Sequence, residues 1–125
     1  MASSIVLVIV DDLFFLAKIN TTLKHLGLSS KVLTQRAAVQ AYANTADTPL
    51  FALVDLTLRA DDAVAVIRAL RASTSVGPIT ILAFGAHVAV DTRQQALEAG
   101  ADRVVAKSVF AQQLPELIQQ GMAPQ

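Results

Sequence analysis

Three runs of apolar residues in this chain each stop at a charge: IVLVIV at Asp11 and Asp12, FALV at Asp55, and the RVVA segment at Lys107. Runs of Val, Ile and Leu uninterrupted by polar residues read as strands buried on both faces, which is the condition of strands in parallel sheets covered by helices. Ligands of open α/β sheets gather beyond the carboxyl ends of the strands, so the charged ends converge on one crevice. Two ionised carboxylates about 4 Å apart repel by roughly 4 kcal/mol at an effective dielectric of about 20. A cluster of three beside one ammonium therefore implies a cation or shifted pKa values.

At 125 residues the chain has room for one core, and residues 1–125 read as a single domain. Ten basic and ten acidic residues cancel, and the Lys and Arg residues are scattered, which points away from a nucleic-acid or membrane-surface partner. With no cysteine there is neither a disulfide framework nor thiolate chemistry, and a cytoplasmic location is the expectation. The opening MASSIVLVIV has no basic n-region and meets two aspartates too early for a signal peptide or a membrane span.

Segments of helical period separate the apolar runs, giving an alternation of strand and helix. A strand from about Ser4 to Val10 leads into a helix over Leu13 to Leu26, with Leu16, Ile19, Leu23 and Leu26 at three- and four-residue spacing and Gly27 closing it. Lys31 to Thr34 reads as a second strand and Arg36 to Ala43 as a second helix, with Asn44 to Pro49 as punctuation. Leu50 to Val54 is a third strand; Asp61 or Asp62 caps a helix to Ala72, which Ser73 to Pro78 ends. Ile79 to Ala83 is a fourth strand, left through Phe84-Gly85-Ala86. Asp91 opens a helix that stops at Gly100, Arg103 to Ala106 is the fifth strand, and Phe110 to Gln120 the last helix. Pro115 in the middle of that helix would cost about 3 kcal/mol, so it belongs in the first turn of the helix proper or at a distortion just before it. Right-handed crossovers then give an α/β fold with a doubly wound five-stranded parallel sheet in flavodoxin-like order 2-1-3-4-5 and five helices. Strands one and three are neighbours in that order, which sets Asp11 and Asp12 beside Asp55.

The acidic pair Asp11-Asp12, the aspartate in Leu53-Val54-Asp55-Leu56, the Pro78-Ile79 entry into strand four, and Gly100-Ala101-Asp102 followed by Lys107 together resemble the receiver domains of bacterial two-component response regulators, the CheY-like family. The resemblance spans the whole chain. It implies a phosphoacceptor at Asp55, a Mg²⁺ held by Asp12, Asp55 and the backbone carbonyl of Thr57, help from Asp11 through water, and a phosphate-binding ammonium from Lys107. The residue types suit that chemistry independently. An aspartate attacks a phosphoryl donor only where charge on the equatorial oxygens is neutralised, and magnesium takes oxygen ligands while keeping several waters.

Each of these residues also has a plainer reading. Asp11 or Asp12 can cap the helix at Leu13, Asp55 can be a solvated strand end, and a lysine at a strand end is ordinarily just solvated. His25, in the last turn of the first helix, is a surface residue favoured there by the helix dipole. His87 follows strand four, near the site. An aspartyl-phosphatase would carry a second aspartate two residues after the nucleophile, where Thr57 stands, and no enzymatic activity is expected.

Departures from the family pattern fall on the signalling relay. Gly85 occupies the strand-four position of a Thr or Ser whose hydroxyl binds the phosphoryl group, and Val104 that of its aromatic partner. The proline four residues after the acceptor is Arg59, the glycine of the next turn is Ala63, and the proline after the lysine is Ser108, for which a trans bond is expected. The leading expectation is a receiver that accepts phosphate on Asp55 and reports it in an unusual way. The alternative is a pseudo-receiver, a phosphorylation-independent interaction module docking through the fourth helix, fifth strand and fifth helix, with Val88, Val90 and Phe110 as surface candidates. The partners implied are a sensor histidine kinase or phosphotransfer protein, a downstream protein target, and a second copy of the chain through that same face. The expectation is a receiver without an output domain after Gln120, acting through another protein.

Overall fold

The computed structural model describes residues 5–45, 49–72, 79–86 and 89–122. Its order is β1 (Ile5–Ile9), α1 (Leu13–His25), β2 (Ser29–Val32), α2 (Arg36–Thr45), β3 (Pro49–Asp55), α3 (Ala63–Ala72), β4 (Thr80–Gly85), α4 (Val90–Ala99), β5 (Arg103–Ala106), α5 (Lys107–Gln112) and α6 (Leu114–Met122). The strands form one parallel sheet in the order β2-β1-β3-β4-β5, as the alternation and the handedness of crossovers require.

Alternate residues of each central strand feed opposite layers. Leu7, Ile9, Ala52, Val54, Ile81 and Ala83 face α3 and α4, while Val6, Val8, Phe51, Leu53, Leu82 and Phe84 face α1, α5 and α6. This two-sided burial is why β1 and β3 read as unbroken apolar runs. β2 lies at the edge with all of its residues exposed, and it begins at Ser29 rather than Lys31. An exposed edge strand carries no apolar alternation to mark its register, so backbone pairing of Ser29 and Ser30 with Ile5 and Val6 decides its position instead.

Capping sets the helix limits. α1 ends in a Schellman arrangement: Gly27, at φ +74°, donates to the Lys24 carbonyl, and Leu28 donates to Leu23. Asp62 caps α3, its Oδ1 accepting the amides of Val64 and Ala65. Asp61 instead reaches α2, where its Oδ2 accepts from the amide of Arg36 at 2.8 Å and from its Nε at 3.2 Å. Asp91 lies in the first turn of α4 without capping it, since the N-cap is Ala89.

Two expectations about the carboxyl-terminal half need correction. β4 does not turn away at Phe84 but runs through Gly85, which pairs with Ala106 of β5. The last helix is two helices: α5 begins at Lys107 directly after β5 and ends at Gln112, and α6 restarts at Leu114, so the helices among the described residues number six. Pro115 sits in the first turn of α6, where its missing amide costs nothing, with the break just before it. Ser73 to Pro78, His87 and Val88 lie outside the described residues.

Arg71, at the end of α3, fastens β4 and β5 from below. Its guanidinium donates to the carbonyls of Gly100 and Ile79 and to Asp102 Oδ2, which also accepts the amide of Ile81. Gly100 is held at φ +127°, and a Cβ added there would come within 2.8 Å of Arg71 Cγ. Gly100→Ala is therefore expected to cost about 1–3 kcal/mol, read as a lower urea midpoint at unchanged slope.

Candidate functional site

The carboxyl ends of β1 and β3 and the start of α5 deliver the charged side chains to one edge of the sheet. Asp12 is the N-cap of α1. Its Oδ1 accepts the Phe15 amide at 3.1 Å, and its Oδ2 lies 3.5 Å from the Lys107 ammonium. The cap expected of Asp12 from the sequence is thus made by Oδ1, while Oδ2 faces the Lys107 ammonium. The Phe15 amide above all, with the Lys107 charge behind it and partial desolvation opposing both, holds its carboxyl below the usual range. Lys107 also stands 4.8 Å from the centroid of the Phe15 ring, so its stem and charge are guided by α1 as well as by its own helix.

Asp55, the last residue of β3, is 2 % exposed and is the buried charged side chain among the described residues. Its Oδ1 accepts twice from one residue, the Thr57 amide at 2.8 Å and the Thr57 hydroxyl at 2.6 Å. Asp11 also fastens the loop that follows β3. Its Oδ2 accepts the amides of Arg59 and Ala60, both at 2.9 Å. A proline at position 59 would have no N–H to give, so the arginine there adds a second amide to that of Ala60 in fastening the β3–α3 loop to the end of β1.

Together Asp11, Asp12, Asp55, Thr57, Arg59 and Lys107 line a cleft of about 550 Å³. Leu13 and Phe14 complete its wall, and they are 77 % and 92 % exposed. The acidic and hydroxyl groups of the cleft are hard oxygen donors, a set suited to a magnesium-sized divalent cation. Among the described residues no three His, Cys, Asp or Glu side chains are grouped closely enough to hold an ion by themselves. Asp12 and Asp55 would need a backbone carbonyl such as that of Thr57 and water to complete an octahedral shell.

Gly85 closes β4 as a buried residue with no hydroxyl to offer, and Val104 is buried opposite Ala83 in the layer against α3 and α4. Aromatic bulk lies on the other face. Phe84 and Phe110 stack at 4.0 Å and 12°, with Phe15 tilted against both at 5.3 and 5.5 Å. Phe110 is therefore core, fully buried, and not the surface residue entertained from the sequence. Val90 is 82 % exposed and His25 is exposed at the end of α1. Lys107-Ser108 is trans, as no cis peptide bond occurs among the described residues. The side-chain role of Thr57 and the amide of Arg59 were not anticipated; the signal for the second was the absent proline, while nothing local marks the first.

The family model for the response regulator receiver domain matches residues 6–119. No curated protein matches the chain. Among solved structures it is similar to a CheY-like receiver domain protein from Methanospirillum hungatei JF-1, at 17 % identity and TM-score 0.83, covering 97 % of this chain and 94 % of that one. It is similar also to a response regulator receiver domain from Bermanella marisrubri, at 25 % identity and TM-score 0.80, covering 97 % and 99 %. A third is the receiver domain of a sensor histidine kinase from Pseudomonas aeruginosa PAO1, described with magnesium coordinated in its active site cleft, at 21 % identity and TM-score 0.81, covering 97 % and 98 %.

Proposed function

The chain belongs to the response regulator receiver domain family, and from that premise we propose that it accepts a phosphoryl group on Asp55, with Mg²⁺, and passes the signal on through protein contacts. The observation that supports this most is the placement of a buried carboxylate at the floor of a cleft it shares with Asp12 and Lys107. Because Thr57 occupies Oδ1 twice and Oδ2 accepts no hydrogen bond among the described residues, Oδ2 is the oxygen free to attack. It forms the new bond to phosphorus as the donor's bond to phosphorus breaks, P–N in a phosphohistidine or P–O in acetyl phosphate, and the donor's leaving group departs with its electron pair. Lys107 offers positive charge to the phosphoryl oxygens, and Asp12 keeps the ammonium in the cleft beforehand. Mg²⁺ would be held by Asp12, Asp55 and the Thr57 carbonyl, and when bound it supplies further neutralisation of the transferring group. Asp11 supports the site by holding the loop that carries Thr57.

Family members exchange phosphate with histidine kinases or phosphotransfer proteins and act on downstream targets. Leu13 and Phe14, exposed on the wall of the cleft, are the apolar surface a phosphodonor protein would meet here. No helix among the described residues is long and apolar enough to cross a membrane. A second reading, a receiver that docks a partner whatever its phosphorylation state, draws on Gly85 and Val104, which cannot supply the hydroxyl and ring of the usual relay.

Incubation with Mg²⁺ and acetyl phosphate is expected to add the mass of one phosphoryl group to the wild type and none to Asp55→Ala. Absence of any mass gain in the wild type, with Mg²⁺ shown to bind, refutes the acceptor reading, and partner binding undiminished in Asp55→Ala then favours the second.

A further inference from the structure

Resting on the assignment of Asp55 as acceptor, we infer that the Arg59 guanidinium is a donor-binding group, which receives the anionic phosphoryl group of the phosphodonor at the mouth of the cleft. Among the described residues Arg59 and Lys107 are the two cationic side chains lining it. They stand differently. Lys107 lies against the Phe15 ring and is paired with Asp12 at 3.5 Å. Arg59 is exposed, and its guanidinium makes no ion pair among the described residues, whereas Arg36 is paired with Asp61 and Arg71 with Asp102. Asp11 accepts from its backbone amide, at 2.9 Å, and not from its side chain. The main chain at Arg59 is thus fixed while its charge is left for a ligand.

A guanidinium stays charged at any working pH, and its planar fork of N–H donors matches the oxygens of a phosphoryl group. It also shifts the charge balance of the cleft. Asp11, Asp12 and Asp55 face two cations, so the lining carries a formal charge of −1 where a proline at position 59 would leave −2. A less negative cleft favours an approaching anion and opposes a cation. Arg59 therefore strengthens the capture of a phosphodonor and weakens the binding of Mg²⁺. These effects have opposite signs, whereas a residue that only held the loop in shape would move both in one direction.

Arg59→Gln keeps the amide that Asp11 holds and removes the charge alone. With Mg²⁺ saturating and acetyl phosphate well below saturation, this variant is expected to take up phosphoryl groups about tenfold more slowly than wild type, the scale of one hydrogen bond to a charged group. The same loss is expected with phosphoramidate, which shares the phosphoryl group and lacks the acetyl group. Mg²⁺ alone, titrated by calorimetry without any donor, is expected to bind Arg59→Gln about threefold more tightly, the effect of one unit charge on a dication across a salt-screened cleft. Arg59→Lys restores the charge without the fork. It should match wild type in Mg²⁺ binding and lie between wild type and Arg59→Gln in rate. Equal rates in wild type and Arg59→Gln with either donor overturn the inference, as does Mg²⁺ binding that is not tightened in Arg59→Gln or an Arg59→Lys protein indistinguishable from it. Failure of the wild type to take up phosphate from both donors is a distinct result, which refutes the acceptor reading and this inference with it.

Discussion

A Lys107→Met protein is expected to take up phosphoryl groups from acetyl phosphate roughly a hundredfold more slowly than wild type, on the scale of losing one preorganised group aimed at developing charge. Methionine keeps most of the length and apolar stem of lysine, so the packing over Phe15 is largely retained while the charge is removed. Stability should hardly change. The Lys107–Asp12 pair is partly open to solvent, with 30 % and 42 % of the two side chains exposed, and solvent-screened pairs of that kind contribute little to stability. The separation of a large kinetic effect from a small thermodynamic one is the signature of a lysine kept for chemistry. Initial rates measured by intact mass, beside urea unfolding of the same protein, make the check. A rate within about threefold of wild type, a difference of roughly 0.7 kcal/mol in the barrier, would leave Lys107 as a surface cation.

Phe110→Ala is expected to cost about 3–5 kcal/mol, the range for removing a large buried aromatic side chain. The ring is fully buried and stacks on Phe84 while touching Phe15, so its removal opens a void bounded by two other rings that are held by β4 and α1. Against a total stability of about 5–15 kcal/mol, that loss is a large fraction, and thermal unfolding should fall by roughly 10–20 °C. α5 has only six residues and would be marginal by itself, and Phe110 is its buried residue. The same helix opens with Lys107. Loosening Phe110 should therefore slow phosphoryl uptake even where the protein remains folded, and Phe110→Leu, which refills part of the void, should recover much of both. An unchanged unfolding midpoint in Phe110→Ala would contradict the packing described.

The sheet and its order were legible because β1, β3 and β5 are buried on both faces and end in the very charges that line the cleft. β2 was displaced by two residues since Ser29 and Ser30 are exposed at a sheet edge, where backbone pairing and not side-chain burial decides the register. The split between α5 and α6 could be seen in Pro115, but the start of α5 at Lys107 could not. A helix that leaves a strand without a side-chain cap, as α5 does after Ala106, carries no local signal. Phe110 was ambiguous for the reason any lone aromatic is: three-residue spacing from Lys107 does not say which face meets the sheet.

In the cleft, residue identities came from the sequence and their partners from the structure. Asp12 as cap follows from its place before Leu13, and its pairing with Lys107 from the convergence of the strand ends. The hold of Asp11 on Arg59 and Ala60 spans 48 and 49 residues, a pairing that no local pattern encodes, and one of its two N–H groups is one that a proline at 59 would lack. The Thr57 hydroxyl is a local contact, two residues from Asp55, yet a threonine after an aspartate has many other partners open to it. Departures at Gly85 and Val104 were plain in the sequence. The aromatic packing on the opposite face of the sheet was not.

Asp55 is the residue proposed to bond phosphorus, and peptide mapping locates that bond most directly. Wild-type protein treated with acetyl phosphate and Mg²⁺, cleaved under conditions that preserve an acyl phosphate and sequenced by tandem mass spectrometry, should carry its added phosphoryl group on Asp55 and carry none when the Mg²⁺ is chelated beforehand. A phosphoryl group found on Asp11, Asp12 or Thr57, or one gained equally without the metal, would contradict it.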